Sequence, residues 1–541
     1  MALEPIEDPA GPELRGNRRW FALVVLALGA AMIVLDSTVV NITVPAMIAD
    51  LGLSTSEAEW VSAAYLLSYA ALLILFGRIA DRHGRKLIFI LGVAIFTMAS
   101  VGVAASSSST TLIAGRIAQG VGGAMIVPSA LTSINTIFTG KSRAAAFAVW
   151  GGTVGGVAAL GPLVGGYLTT NATWHWAFLI NVPVAIVVII GAIALVPETR
   201  ERGGPQGIDP FGTILITVGL LGILFALIGG SHYGWVRRIA DLAVGPWDWP
   251  LASVSVVDAS ATIGVLAIAA LVWLELRRSR AGKAVVINLR LFRIRTFAAG
   301  NVVGLVVNLG EYGLLFALPL FLQSVRGFDA VETGVVLVWL AVGCFLAASI
   351  CAPLAHRYGP VWVLRGGMVL IAVGILGVGL AISRTIEVWQ IAPWLFVYGL
   401  GVGFAVAQLT GVILSDVPVA ESGQASAVQS TAKQIGAAIG TAIIGTTLIL
   451  GLGTTSHELE SRGIPRERAK QVASDVSASA GQDLMRLRAA PDGEVLLDGA
   501  TAAFTTAVKA ASIVSGTLVL LGLATTFLLP SNAARNEKTE H

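Results

Sequence analysis

Four ionisable side chains stand inside stretches that are otherwise apolar: Asp36 in LDSTVVNITVP, Arg116 in RIAQGVGGA, Glu311 in NLGEYGLLFALP and Lys433 in QSTAKQIGAAIG. A charge at the centre of a bilayer costs about 2.5–3.5 kcal/mol even on insertion scales, so each needs a partner or a task. Asp36 precedes Pro45 by nine residues, about 13 Å along a helix, and Arg116 lies about 9 Å into its own run. Counted from the same side, the two reach similar depths and can pair. Protonation of Asp36 would strip Arg116 of its counter-ion and force a rearrangement; a permanent salt bridge fixing two helices is the structural alternative. Glu311 lies about 22 Å into its run, beside Asn308 and Tyr312. A carboxylic acid in an apolar cavity can exchange its proton for a cation, whereas a protonated, hydrogen-bonded one would be structural. Lys433 lies about two to three turns into its run, where snorkelling to the interface is an adequate account. Asn41, Gln119, Gln323, Gln408 and Gln434 could line a polar path or join helices to one another.

The elements that must hold these groups follow from composition. Of 541 residues, 55% are apolar and 12% charged, against about 25% charged in soluble domains, and the mean hydropathy is +0.81. This is an all-α polytopic membrane protein. Fourteen runs are long enough to cross a hydrocarbon core, which takes roughly 20 residues, from 20–45 to 503–529. An even number puts both termini on one side. That side carries Arg15, Arg18 and Arg19, the cluster around Arg82, then Lys141, Arg143, Arg200 and Arg202, and the series Arg277 to Arg295. The short loops opposite show only Arg237, Arg238, Arg326 and Arg384. The positive-inside rule therefore predicts cytoplasmic termini in a cell (inner) membrane. The outward segment 453–502 is long and mixed in charge, and long segments translocate largely regardless of charge. Its Glu, Arg, Lys and Ala content and Pro465 predict one or two short solvated helices there. The polar first twenty residues do not read as a secretory signal peptide. A net charge of +3 spread over short loops gives no nucleic-acid surface. Cys344 and Cys351, seven residues apart on one helix face, predict neither a disulfide nor a metal site.

Between the second and third runs, GRIADRHGRKL (Gly77 to Leu87) packs five basic residues and one acid. The bases suit an inward loop, but Asp81 does nothing for that rule. At a helix end its carboxylate can accept hydrogen bonds from nearby arginines or from a helix N-terminus elsewhere in the chain. Ala80, Asp81, Arg82, His83 and Gly84 stand against Ala355, His356, Arg357, Tyr358 and Gly359; from 81 to 356 the offset is 275, and the same offset carries Asp36 onto Glu311. This predicts two six-helix halves with two helices inserted between them. The expected organisation is a cytoplasmic tail 1–19, a first bundle 20–200, inserted helices and linker 201–295, a second bundle 296–530 containing the loop 453–502, and a tail 531–541. Parallel halves with a site between them at the midplane are the logic of alternating access. His356 stands where Asp81 does, so any latch at this position is one-sided.

GRIADRHGRK resembles the helix 2–3 loop signature of the major facilitator superfamily at Gly77, Asp81, Arg82, Gly84, Arg85 and Lys86. LDSTVVNITVP looks like the helix 1 signature of its fourteen-helix drug:proton antiporter branch, RIAQGVGGA like the helix 4 signature, and WHWAFLINVP (Trp174 to Pro183) like the helix 6 entrance. The branch's helix 5 signature is a glycine ladder ending in GPxxGG. Gly161, Pro162, Gly165 and Gly166 match that ending, while Gly151, Gly152, Gly155 and Gly156 depart from the ladder's spacing, with Ala148 and Val157 where it has glycine. The resemblance implies a major facilitator fold of two six-helix bundles plus two inserted helices. It also implies proton coupling at the helix 1 acid and helix 4 arginine, a gating role for the Asp81 loop, and a seal at the helix 5 glycines.

Three functions are consistent with these features. The first is a proton-coupled exporter of amphipathic, cationic drugs, with protons as the coupling ion, no other cofactor, and the lipid bilayer and a small molecule as partners; a monomer suffices. The second keeps the transporter and changes the cargo to an endogenous lipid, siderophore or metabolite, with 453–502 docking an envelope partner. A membrane enzyme is the third, and it is disfavoured because His83, His175, His232, His356, His457 and His541 are scattered. The chain also lacks the GxxxxGK[ST] phosphate loop of ATP-driven transport.

Overall fold

In lipid every backbone polar group must be satisfied within its own segment, so long apolar runs close as helices. The computed structural model describes residues 17–199, 209–234, 243–244, 247–248 and 254–529, apart from 54, 282, 284, 419–420, 479–483, 485–486 and 488–491. The first bundle comprises α1 (Arg18–Leu51), α2 (Thr55–His83), α3 (Arg85–Ala104), α4 (Ser109–Ile137), α5 (Gly140–Asn171), and the sixth crossing made of α6 (Trp176–Leu179) and α7 (Asn181–Leu195). The inserted pair is α8 (Pro210–Tyr233) and α9 (Val256–Arg280). Between them β1 (Ala243–Val244) and β2 (Trp247–Asp248) pair antiparallel. The second bundle holds α10 (Arg295–Ser324), α11 (Ala330–Tyr358), α12 (Pro360–Ala381), α13 (Val388–Leu414) and α14 (Ser422–Gly453). After it come the short α15 (Thr455–Ser461) and α16 (Arg466–Ala478), on either side of Pro465, and then α17 (Gly493–Thr525).

Among the described residues twelve helices are long and apolar enough to cross a membrane. The sequence predicted fourteen. α8, with the shorter apolar stretch Phe211–Leu227, and α14 lie outside that set, and each has side chains outside the described residues. α17 starts ten residues earlier than the apolar run, drawing part of the segment 453–502 into the helix.

In the first bundle α4 packs on α2 and α3, and α1 on α5 and α7; in the second, α13 packs on α11 and α12, and α10 on α14 and α17. The bundles meet where α5 lies along α11 and α13, and where α14 lies along α2 and α4. α8 lies against both α2 and α14. Two turns repeat between the bundles: Gly52 and Gly327 have φ 63 and 69, Gly84 and Gly359 have φ 118 and 92, and each pair is again 275 residues apart, 52 to 327 and 84 to 359. An added Cβ at Gly52 or Gly359 would meet nothing within 4 Å, so these turns need glycine for backbone conformation alone. The end of the molecule that carries Gly84 and the α9–α10 linker is called the basic end below. At the far end Asp498 of α17 pairs with Arg384 and Arg462, and Arg462 with Glu458 at 2.9 Å.

Candidate functional site

Asp36 and Arg116 meet. An Arg116 Nη1–H donates to Asp36 Oδ2 at 2.5 Å, and both side chains are all but completely buried. The carboxylate is met from other sides as well: Gln119 Nε2 donates to Oδ1 at 2.9 Å and Asn181 Nδ2 to the same oxygen at 3.1 Å. Ser100 Oγ accepts from both amides, at 2.8 and 3.2 Å. Arg116 in turn donates to Gln119 Oε1 at 2.8 Å and from Nε to the Val61 carbonyl at 3.0 Å, with its guanidinium 4.3 Å from the Tyr65 ring centroid. The network joins α1, α2, α3, α4 and α7. Gln119 therefore belongs to this buried knot, with no exposed surface, instead of lining a path. Sequence reasoning missed Ser100 and Asn181; the only available signal for Asn181 was its place within WHWAFLINVP.

Glu311, the counterpart of Asp36 by the 275-residue offset, has a different setting. It is half-buried, and among the described residues its carboxylate forms no hydrogen bond. Lys433 of α14 is half-buried, on the helix that packs against α10. The Glu311 carbonyl accepts from Tyr398 Oη of α13 at 3.3 Å. Tyr312 is 38% exposed, and on α2 the rings of Tyr65 and Tyr69 stack 5.9 Å apart. The Asn308 amide is occupied by its own helix, donating to Gly304 O at 2.8 Å. Gln408 donates to Cys351 Sγ at 2.9 Å. Gln323 and Gln434 are half-buried, and the Asn41 side chain lies outside the described residues.

At the basic end Asp81 is buried and takes Arg85 Nε and Nη2 on one oxygen, both at 3.0 Å, while Arg85 Nη1 donates to Thr136 Oγ1 at 2.8 Å. Its carboxylate lies against Gly423 in the first turn of α14, so closely that a Cβ at 423 would stand 1.9 Å from Oδ2. A helix N-terminus favours an anion through its unpaired amides and its dipole. Gly77, one turn before Asp81, allows the same approach, its Cβ position falling 2.8 Å from the Ala427 Cβ. The rest of the loop is tied within the first bundle. Beyond Gly84, the Glu198 carboxylate accepts from the N–H groups of Lys86 and Leu87 at 3.1 and 3.2 Å, and Lys86 Nζ donates to Ile193 O at 2.8 Å. Arg82 is exposed.

Gly423→Ala tests the contact between bundles. Alanine is preferred to glycine inside a helix by about 1 kcal/mol, so only the collision with Asp81 opposes it. Export is expected to fall severalfold while the protein reaches the membrane in normal amount; unimpaired export would show that the approach of Asp81 to α14 is dispensable.

The helix 5 glycines divide their work. Gly161 and Gly165 face α1, where added Cβ atoms would overlap Thr38 and Val39; Gly166 is buried; Pro162 lies in the same helix, its side chain outside the described residues. Gly151, Gly152 and Gly156, outside the family spacing, form the seam with the second bundle: their Cβ positions fall 2.9 Å from Ala407 Cα, 2.2 Å from Ala348 Cβ and 2.4 Å from the Phe345 ring.

Residues 26–441 match the family model described as Major Facilitator Superfamily. The chain is 34% identical over 490 residues to the probable actinorhodin transporter of Streptomyces coelicolor, covering 87% of this chain and 81% of that one. It is 30% identical over 535 residues to the tetracenomycin C resistance and export protein of Streptomyces glaucescens, covering 97% and 93%. In fold it is similar to the human organic anion transporter MFSD10 (TETRAN), with a TM-score of 0.58 and 14% identity over 95% of this chain and 99% of that one. With two helical bundles meeting along α5 and α14, and with relatives that are transporters along most of its length, the chain belongs to the Major Facilitator Superfamily and is a membrane transporter, not an enzyme.

Proposed function

We propose that this transporter is a proton-coupled antiporter that exports amphipathic, cationic drugs and other toxic compounds across the cytoplasmic membrane by alternating access, with its basic end in the cytoplasm. The observation that carries this reading is the contrast between the two membrane-embedded acids. Asp36 is saturated by three donors, whereas Glu311 is half-buried and its carboxylate forms no hydrogen bond among the described residues. A deprotonated Glu311 can draw a cation against the exposed ring of Tyr312; protonation removes the attraction and releases the cargo. Asp36 and Arg116 act as the second coupling pair, because a proton on Asp36 would loosen α1 from α4. The Asp81 contact holds the basic end shut while the cavity faces outward. The export named for the Streptomyces glaucescens relative supports the direction.

Everted membrane vesicles provide the test. A cationic dye should accumulate in them when a proton gradient is imposed, and a protonophore should abolish that accumulation. Accumulation that persists undiminished with the protonophore would overturn the proton coupling.

A further inference from the structure

The inserted pair α8–α9 takes no part in the exchange proposed above, yet it is tied to both bundles. At the far end Trp60 of α2 donates its indole N–H to Tyr233 Oη at 3.2 Å, and the Phe225 ring packs against both. At the basic end Asp209 caps α8 by accepting Gly212 N–H at 2.9 Å and pairs with Arg278 of α9 at 3.1 Å. Buried Glu275 of α9 accepts the Val286 N–H at 2.8 Å, which fixes the direction in which the linker leaves the hairpin. Two residues later the linker reaches the second bundle. The Asn288 N–H donates to Gln424 Oε1 at 3.0 Å, its Nδ2 donates to Glu421 Oε1 at 2.8 Å, and its Oδ1 accepts from Arg290 N–H at 3.1 Å. Glu421 and Gln424 bracket Ser422 and Gly423, the turn on which Asp81 rests.

We propose that Asn288 is a positioning residue of the basic-end gate: it holds the first turn of α14 from the linker side, so that the turn is presented to Asp81 in register. The inference rests on reading the Asp81 contact as that gate. Asn288 grips both ends of one helical turn, and a side chain of the first bundle occupies the turn's remaining approach. The grip is itself anchored, because Val286 is bound to α9 and α9 to α8. The inserted hairpin is thereby connected to α2 at the far end and to α14 at the basic end, the two helices whose separation opens the gate.

The test uses the full-length protein in nanodiscs, with Cys344 and Cys351 replaced by alanine and spin labels at His83 and Arg357, which are exposed at the basic ends of α2 and α11. Pulsed electron paramagnetic resonance then reads the distance between the bundles. Asp81→Asn is the reference and should raise the long-distance population. Asn288→Ala is expected to raise it about fivefold, the equivalent of one net hydrogen bond. Glu421→Ala removes the same bond from the α14 side and leaves the linker's own cap intact; it should give the same shift, and the double variant should add nothing further. A shift with Asp81→Asn and none with Asn288→Ala or Glu421→Ala would overturn the inference and leave the gate standing. No shift with Asp81→Asn would overturn the gate and, with it, the role of Asn288.

Discussion

Glu311→Gln is expected to abolish uphill export. Glutamine keeps the size and polarity of the side chain but carries no exchangeable proton, so a movement of cargo no longer returns a proton. One proton moving down a gradient of about 1.7 pH units supplies about 2.3 kcal/mol, which sustains roughly a fiftyfold concentration ratio of an exchanged monocation. Dye accumulation in everted vesicles should therefore fall by about that factor for each proton uncoupled, while downhill exchange of labelled dye without a gradient continues. Glu311→Asp retains the proton on a shorter arm and should keep part of the gradient. A glutamine variant that sustains the wild-type ratio would remove Glu311 from the coupling step.

The second large effect belongs to Asp36→Asn. Arg116 would remain in a fully buried site with no counter-ion, and breaking one partner of such a pair costs about 3–5 kcal/mol. With its amide oxygen in the place of Oδ1, asparagine can still accept two of the three hydrogen bonds that the carboxylate now receives, so the loss is one of charge more than of shape. Thermal unfolding in detergent should shift to clearly lower temperature for Asp36→Asn and for Arg116→Gln. The double variant should lose less than the sum of the two, since neither charge is then stranded. If Asp36→Asn unfolds at the wild-type temperature yet no longer exports, the pair acts in coupling without holding the bundle together. If it neither destabilises nor impairs export, the pair does neither.

The parts of the site that could be read in the sequence were those that depend on one coordinate. Helical rise alone brought Asp36 and Arg116 to one depth, and the offset of 275 aligned Asp36 with Glu311 and Asp81 with His356. What stayed illegible depends on helix rotation. Ser100 and Asn181 are ordinary polar residues until α3 and α7 turn them toward Asp36. Glycines that depart from the family ladder, Gly151 and Gly152, proved to face the second bundle, because contact between bundles depends on which face is bare and not on spacing along a motif. Glu198 and Asn288 lie in connecting segments, where no periodicity marks a residue that caps or grips a distant helix.

The Asp36 network also constrains the order in which the chain can be made. Arg116 follows Asp36 by 80 residues and Asn181 follows it by 145. At about 5–20 residues per second, the acid waits roughly 4–16 s for its arginine. Through that interval α1 carries an acid with no partner, so it must linger at the insertion machinery, take up a proton, or sit shallow until α4 arrives. A ribosome stalled between the two residues would leave an unpartnered first helix, the species that membrane quality-control proteases are suited to remove.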